Sequence, residues 1–336
     1  PTAPFAPAGP GALAGAGEGP AVRAEAEVVE GSRRLCAVPV GAPGESGFTA
    51  FLDGIQRTRV ALYHGPVPIV YAYVAAVVRA RAGRRLATLY QEEREAVFYP
   101  RRYVDPAPLA AAGIAPDQLV ATDEEGEPLP LVPSEIHARA AQKVDKWRES
   151  LEQELALRWC AEGHPGWLLV DGPLTLPSQV STHPRVAGVV KTHGAYFFDG
   201  DDARIVFGLA AGERTSVFRL QMRHSTPVDS WYLRLRPAAG RDVYWGLVRV
   251  EVAARESPGD VADEVSRWLL AEARPLSLPD ARWDRLLYPI HDCEEYLRAR
   301  APGWPADEPA PIARRARARR ASRWRSRTCR AAAGTR

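Results

Sequence analysis

The chain has too few cysteines, too widely spaced, for a sulfur-built site. Four occur in 336 residues (Cys36, Cys160, Cys293 and Cys329), and none forms a C-x-x-C pair. That spacing argues against a zinc ribbon and a disulfide framework, and makes a reduced, cytoplasmic compartment the expectation. No run of about 18 apolar residues occurs, so neither a membrane span nor a membrane partner is expected. The opening PTAPFAPAGPGALAGAGEGP has no basic n-region and no compact apolar h-region, so it does not read as a signal peptide, and it lacks an initiator Met. G-x-x-x-x-G-K-[ST], G-x-S-x-G and H-E-x-x-H are all absent. Those absences remove a P-loop, a nucleophile elbow and a zincin helix from consideration. There is no internal repeat.

What is present is ordinary globular material. Hydrophobic residues make up 46% and charged residues 25%, enough for a sizeable core in one large domain or two modest ones. The formal net charge of +3 belongs to one end of the chain. Residues 312–336 contain ten arginines and no acid, and without them the remainder is net acidic. The expected organisation is a disordered Pro/Gly/Ala-rich segment over 1–23, a folded domain over 24–302 and an Arg-rich disordered tail over 303–336.

Within the folded part, 49–62, 67–81 and 84–99 read as three strands of an antiparallel meander. Residues 104–133 read as a long acidic loop. A helix follows from a Ser134 cap to about Gly163, with Ile136, Ala140, Val144, Trp147, Leu151, Leu155 and Trp159 on one apolar stripe. WLLVD and then 185–197 read as strands whose placement after a helix implies parallel pairing. Residues 214–222, 230–237 and 244–252 alternate with period two, as antiparallel strands do. Two helices close the domain, over 260–274 and 292–301. Three strands, a helix and a further strand give the order of an α/β fold with an RNase H-like mixed sheet flanked by helices.

Two strands of that plan share a feature. Phe51-Leu52-Asp53-Gly54 and Leu169-Val170-Asp171-Gly172 both run from apolar residues into Asp-Gly. Taken alone, each Asp-Gly most often marks a turn. Taken together, in this strand order, they place two carboxylates where hard divalent ions could be shared. Cleavage of a phosphodiester by two metal ions needs such convergence, because the ions clamp the attacking and leaving oxygens. A third acid belongs on the long helix: Glu152 is the first choice, with Glu149 and Glu154 behind it, although a solvated face is the commoner role for any one of them. A fourth ligand is sought in YPIHDCEEYLRA, among His291, Asp292 and Glu294. Lys191, ending a strand, suits a phosphate or developing charge. Arg57 and Arg59 suit a nucleic-acid backbone. A lone histidine such as His193 or His291 is more often core or surface than catalytic.

FLDGIQRT, LLVDGPL, VAGVVKTH, WGLVRVEV and LLYPIHDCEEYLRA, in this order over about residues 45–300, resemble the NurA nuclease domain. That resemblance implies an RNase H-like core, Mn²⁺- or Mg²⁺-dependent DNA cleavage, a homodimer, and DNA end processing beside a HerA-type hexameric ATPase. Asp53 and Asp171 match the family's two metal-binding aspartates, and Glu152 best matches its helix acid. The chain departs from the pattern at Ile55, where the family has Ser after the first Asp-Gly. It departs again after Tyr288-Pro289: His291 follows too soon, and Glu294 stands near the family's His position. Two further readings therefore stay open. One is a catalytically decayed adaptor for a motor ATPase. The other is an RNase H-like enzyme of another kind, such as a resolvase, a transposase-like or an RNA-cleaving enzyme.

Overall fold

The structure, a computed structural model, describes residues 22–83, 85–111, 113–174, 177–220, 226–274 and 283–303. The Arg-rich tail beyond 303 and residues 1–21 lie outside the described residues. Val22 and Arg23, assigned from sequence to the disordered segment, are instead a short strand paired with Ala195 and Tyr196.

In chain order the strands are β1 (Val22–Arg23), β2 (Ala26–Val28), β3 (Ala37–Pro39), β4 (Phe48–His64), β5 (Val67–Ala82), β6 (Arg85–Tyr99), β7 (Leu119–Ala121), β8 (Trp167–Asp171), β9 (Val186–Val190), β10 (Ala195–Tyr196), β11 (Glu213–Thr215), β12 (Phe218–Leu220), β13 (Val228–Arg234) and β14 (Leu247–Ala253). The α-helices are α1 (Ala107–Ala111), α2 (Pro133–Glu162), α3 (Ser178–Ser181), α4 (Gly200–Gly208), α5 (Pro258–Glu272) and α6 (Tyr288–Arg300).

Where the sequence suggested one domain over 24–302, the chain divides into two compact units. The first holds the residues up to Asp53, Val77–Tyr90 and Gln153–Glu295; the second holds Gly54–Ala76, Gln91–Glu152 and the residues from Tyr296 on.

A mixed sheet carries the strand order β6-β5-β4-β8-β9-β14-β13-β12-β2, of which the first unit holds β8, β9, β14, β13, β12 and β2, β4 as far as Asp53, β5 from Val77 and β6 as far as Tyr90. Connections of two residues join β4 to β5 and β5 to β6, which only antiparallel strands allow. β8 and β9 lie on the other side of β4 and run parallel to it and to each other. The 30-residue α2 precedes β8 in the chain, and the connection from β8 to β9, which carries α3, is long enough for a parallel crossover. Three antiparallel strands with two parallel ones beyond the first is the RNase H-like order read from the sequence. From β9 the sheet continues antiparallel through β14, β13, β12 and β2. Helix α5 covers part of it: the Trp268 ring meets Phe48 edge-on at 5.3 Å and Trp167 at 5.4 Å. Trp231 Nε1 donates to Ser266 Oγ at 2.8 Å, so the buried indole keeps a partner.

The second unit has its own core. Ile69 and Tyr71 from β5, Val97 and Tyr99 from β6, and Ile136 from α2 pack with Leu109, Ile114 and Leu129. The last three come from the stretch read as a loop. That stretch also supplies β7, which adds to β6 in parallel register, Phe98 opposite Val120. Asp123 is buried there, and its carboxylate accepts from the Arg101 and Arg102 amides at 2.5 and 2.9 Å. The acidity of the segment is therefore partly structural. Helix α2 begins at Pro133, one residue before the expected Ser134 cap, because proline suits the first helical position. Gly163, at φ +66°, follows its last turn. Among the described residues, no helix is long and apolar enough to cross a membrane.

Candidate active site

The parallel pairing of β4 with β8 sets the central geometry of the first unit. Phe51 pairs with Leu169 and Leu52 with Val170. One step further the same register brings Asp53 beside Asp171, and neighbouring strands lie about 4.8 Å apart. Residues paired across a sheet point to the same face, so this register, continued by one residue, directs both side chains to one face. They differ in burial. Asp53 is 7% exposed, whereas the Asp171 side chain keeps 28% of its surface.

Lys191 joins this pair. Asp171 is opposite Val189 on β9, and Lys191 lies two residues on, on the same face. Its Nζ stands 2.8 Å from Asp171 Oδ1. Beyond Asp171 the chain turns at Gly172 (φ +124°), where a side chain would be strained. The turn is held from β14: Leu174 N donates to Glu251 Oε2 at 2.6 Å, and Glu251 is itself buried and paired with Arg249.

The first turns of α6 approach from the side of β4 and β5. The Cys293 thiol donates to Phe51 O at 3.5 Å. Burial pushes this thiol well above its usual range, and the negative fields of Asp53 and then Asp292 push it further. Asp292 Oδ2 meets the buried Arg79 Nη2 at 3.0 Å. His291 Nδ1 stands 3.8 Å from Glu294 Oε2 on the same helix. His193 lies in the core, stacked on Tyr244 with ring centroids 5.1 Å apart and with Nε2 3.3 Å from Leu247 O. Burial pulls its pKa down to about 4, and Arg249, Arg285 and Arg234 add to the effect.

Glu152 belongs to the second unit. Of the three helix acids considered it alone is buried; Glu149 and Glu154 are exposed. Its Oε1 pairs with Arg148 one turn earlier. Arg148 also donates to Gln56 Oε1 at 3.2 Å, and Gln56 to Asp145 Oδ1 at 2.5 Å. A Cβ on Gly54 would overlap the Glu152 carboxylate, so a side chain there needs that carboxylate to shift. Arg57 donates to Pro302 O at 2.7 Å and to Arg298 O at 3.4 Å, closing the C-terminal end of α6. Arg59 is half-buried.

Two residues of the site were not anticipated. Arg79 could have been suspected as a lone charge inside the apolar run of β5. Glu251 carries no local signal, because its partner, the Leu174 amide, is 77 residues away.

Among the described residues no group of three His, Cys, Asp or Glu side chains is arranged to hold a metal ion. Two neighbouring carboxylates still suit Mg²⁺ or Mn²⁺, which commonly take one or two protein carboxylates and complete their shell with water and substrate phosphate.

No protein-family model and no curated protein matches the chain. Among solved structures, the crystal structure of the NurA nuclease from Sulfolobus solfataricus is similar at a TM-score of 0.41 and 12% sequence identity, over 77% of this chain and 87% of that one.

Proposed function

We propose that the protein is a metal-dependent deoxyribonuclease that hydrolyses phosphodiesters during the processing of DNA double-strand ends. The observation that supports the reading is the register of β4 with β8, which pairs Leu52 with Val170 immediately before Asp53 and Asp171, together with Lys191 at 2.8 Å from Asp171. The ordered motifs that resemble NurA supply the substrate class and the partners: DNA, a second copy of the chain, and a HerA-type ATPase in the cytoplasm.

Asp53 and Asp171 would hold Mn²⁺ or Mg²⁺ through hard oxygen donors. Such an ion, when bound, supplies Lewis acidity toward a phosphodiester. The chain's own residues have separable tasks. Asp53, fixed within a long strand, defines one position. Asp171, at a strand end, defines the other and is paired with Lys191. The Lys191 ammonium would be placed to hold a phosphate oxygen of the substrate. Arg79 holds Asp292 in place through their 3.0 Å ion pair.

The adaptor reading is favoured by one observation: Asp171, Asp292 and Glu152 each already face a basic side chain. A single comparison separates the two. End-labelled single- and double-stranded DNA is incubated with wild type and with the Asp53→Asn, Asp171→Asn double variant, in Mn²⁺ and in EDTA. The nuclease reading expects cutting only by wild type with Mn²⁺. Intact DNA in every lane, with wild type folded, would replace it by the adaptor reading.

A further inference from the structure

The second unit contains a polar cavity of about 360 Å³ between the segment after β7 and one face of α2. Arg139, Lys143 and Lys146 line it from the helix, at positions i, i+4 and i+7, so three cations share that face. Only the first is neutralised. Arg139 Nη1 donates to Glu127 Oε1 at 2.5 Å, and the Glu124 amide donates to Glu127 Oε2 at 3.1 Å. The backbone amide first, and Arg139 second, hold the Glu127 carboxyl below its usual range. Glu124 also lines the cavity but is exposed to solvent. Lys143 and Lys146 pair with no acid among the described residues.

On the opposite wall stands Thr122, 2% exposed, whose hydroxyl has no hydrogen-bond partner among the described residues. A buried hydroxyl without a partner is costly, and the cost is recovered when an acceptor arrives. Two uncompensated ammonium groups and an unused donor around one cavity call for a ligand with negative charge and several acceptor oxygens. We propose that this cavity binds a phosphate group, either a backbone phosphodiester of a nucleic-acid strand or free phosphate. The proposal does not depend on the nuclease reading, since Asp53 and Asp171 take no part in it.

The test uses the full chain in EDTA, where no cutting occurs, and compares wild type with Lys143→Gln/Lys146→Gln and with Thr122→Val. In one arm a labelled single-stranded oligonucleotide is titrated at several salt concentrations. In the other, thermal melting is followed in inorganic phosphate and in chloride at equal ionic strength. A phosphodiester site predicts that the lysine double variant loses about tenfold or more in affinity. Its plot of log affinity against log salt becomes shallower by about 1.4, for two lost phosphate contacts on a single strand. A free-phosphate site predicts that phosphate raises the melting temperature of wild type but of neither variant, while melting in chloride is unchanged in Lys143→Gln/Lys146→Gln and unchanged or raised in Thr122→Val. Wild-type behaviour of both variants in both arms would overturn the proposal. Placed in the Asp53→Asn/Asp171→Asn background, Lys143→Gln/Lys146→Gln should cause the same relative loss as in the wild-type background, which keeps this result separate from any failure to cut DNA.

Discussion

Asp53-Gly54 and Asp171-Gly172 are the same dipeptide after the same kind of apolar run, on neighbouring strands in register. Their glycines are there for different reasons. Gly54 lies within β4, which continues to His64, and it is glycine because the Glu152 carboxylate occupies the space a side chain would need. Gly172 ends β8 at φ +124°, faces open space for 4 Å around the position a Cβ would take, and is glycine because of its backbone. One is a packing constraint and the other a conformational one. The turn reading of Asp-Gly thus fits the second copy and fails for the first. The lesson is that a repeated motif can place two like groups together while being built twice by different means.

The comparison can be broken most forcibly at the acids. Asp53→Asn and Asp171→Asn should each lower metal-dependent DNA cleavage by about a hundredfold or more, the scale of losing one group that stabilises charge in a transition state. Equal losses would show that the two acids serve one site. Loss at Asp171 alone would make Asp53 structural. Next in size is a pH signature confined to the second copy's surroundings. His193, two residues after Lys191, is neutral when folded, with a pKa of about 4 against an ordinary 6.5. The unfolded chain binds the extra proton between those values, so its contribution is complete above pH 6.5 and is lost as pH falls toward 4, up to about 3 kcal/mol. Urea unfolding across that window should show a shallower pH dependence in His193→Phe, which keeps an aromatic ring against Tyr244.

The glycines sharpen the contrast. Gly172→Ala should cost about 1–3 kcal/mol through its backbone alone, and Glu152→Ala should not relieve it. Gly54→Ala should cost about 1–3 kcal/mol by overpacking, and Glu152→Ala should relieve it, with a coupling above about 0.5 kcal/mol in a double-mutant cycle. Smallest of all, Lys191→Met should change stability by under about 1 kcal/mol, because the partly exposed ion pair with Asp171 is screened by water.

Much of the first unit was legible because its information is local. β4, β5 and β8 announce themselves as apolar runs, and a long helix before β8 forces parallel pairing. Those two facts were enough to set β4 and β8 side by side and parallel. The burial of Glu152 was legible from its place after Leu151 on the apolar stripe. What escaped depends on distant partners. β7 is three residues long and exists only because Tyr99 and its neighbours offer an edge. Asp123 looks like one more acid of a loop until the Arg101 and Arg102 amides turn toward it. Arg57 reads as a phosphate contact, but its acceptors lie some 240 residues further along the chain. Lys191 was assigned to substrate phosphate, and its ion pair with Asp171 emerged only once β8 and β9 were in register.

The hydrogen bond from Leu174 to Glu251 has a consequence for time as well as position. Leu174 belongs to no strand, and by chain location its amide should exchange with solvent quickly. Its acceptor is a carboxylate buried at 2% exposure and held by Arg249, so the amide cannot be released without opening that pair. Its hydrogen-exchange protection should therefore match that of β14 rather than that of a surface turn. The segment that carries Asp171 out of the sheet is timed by the interior of the sheet, and one slow amide is the clock that reports it.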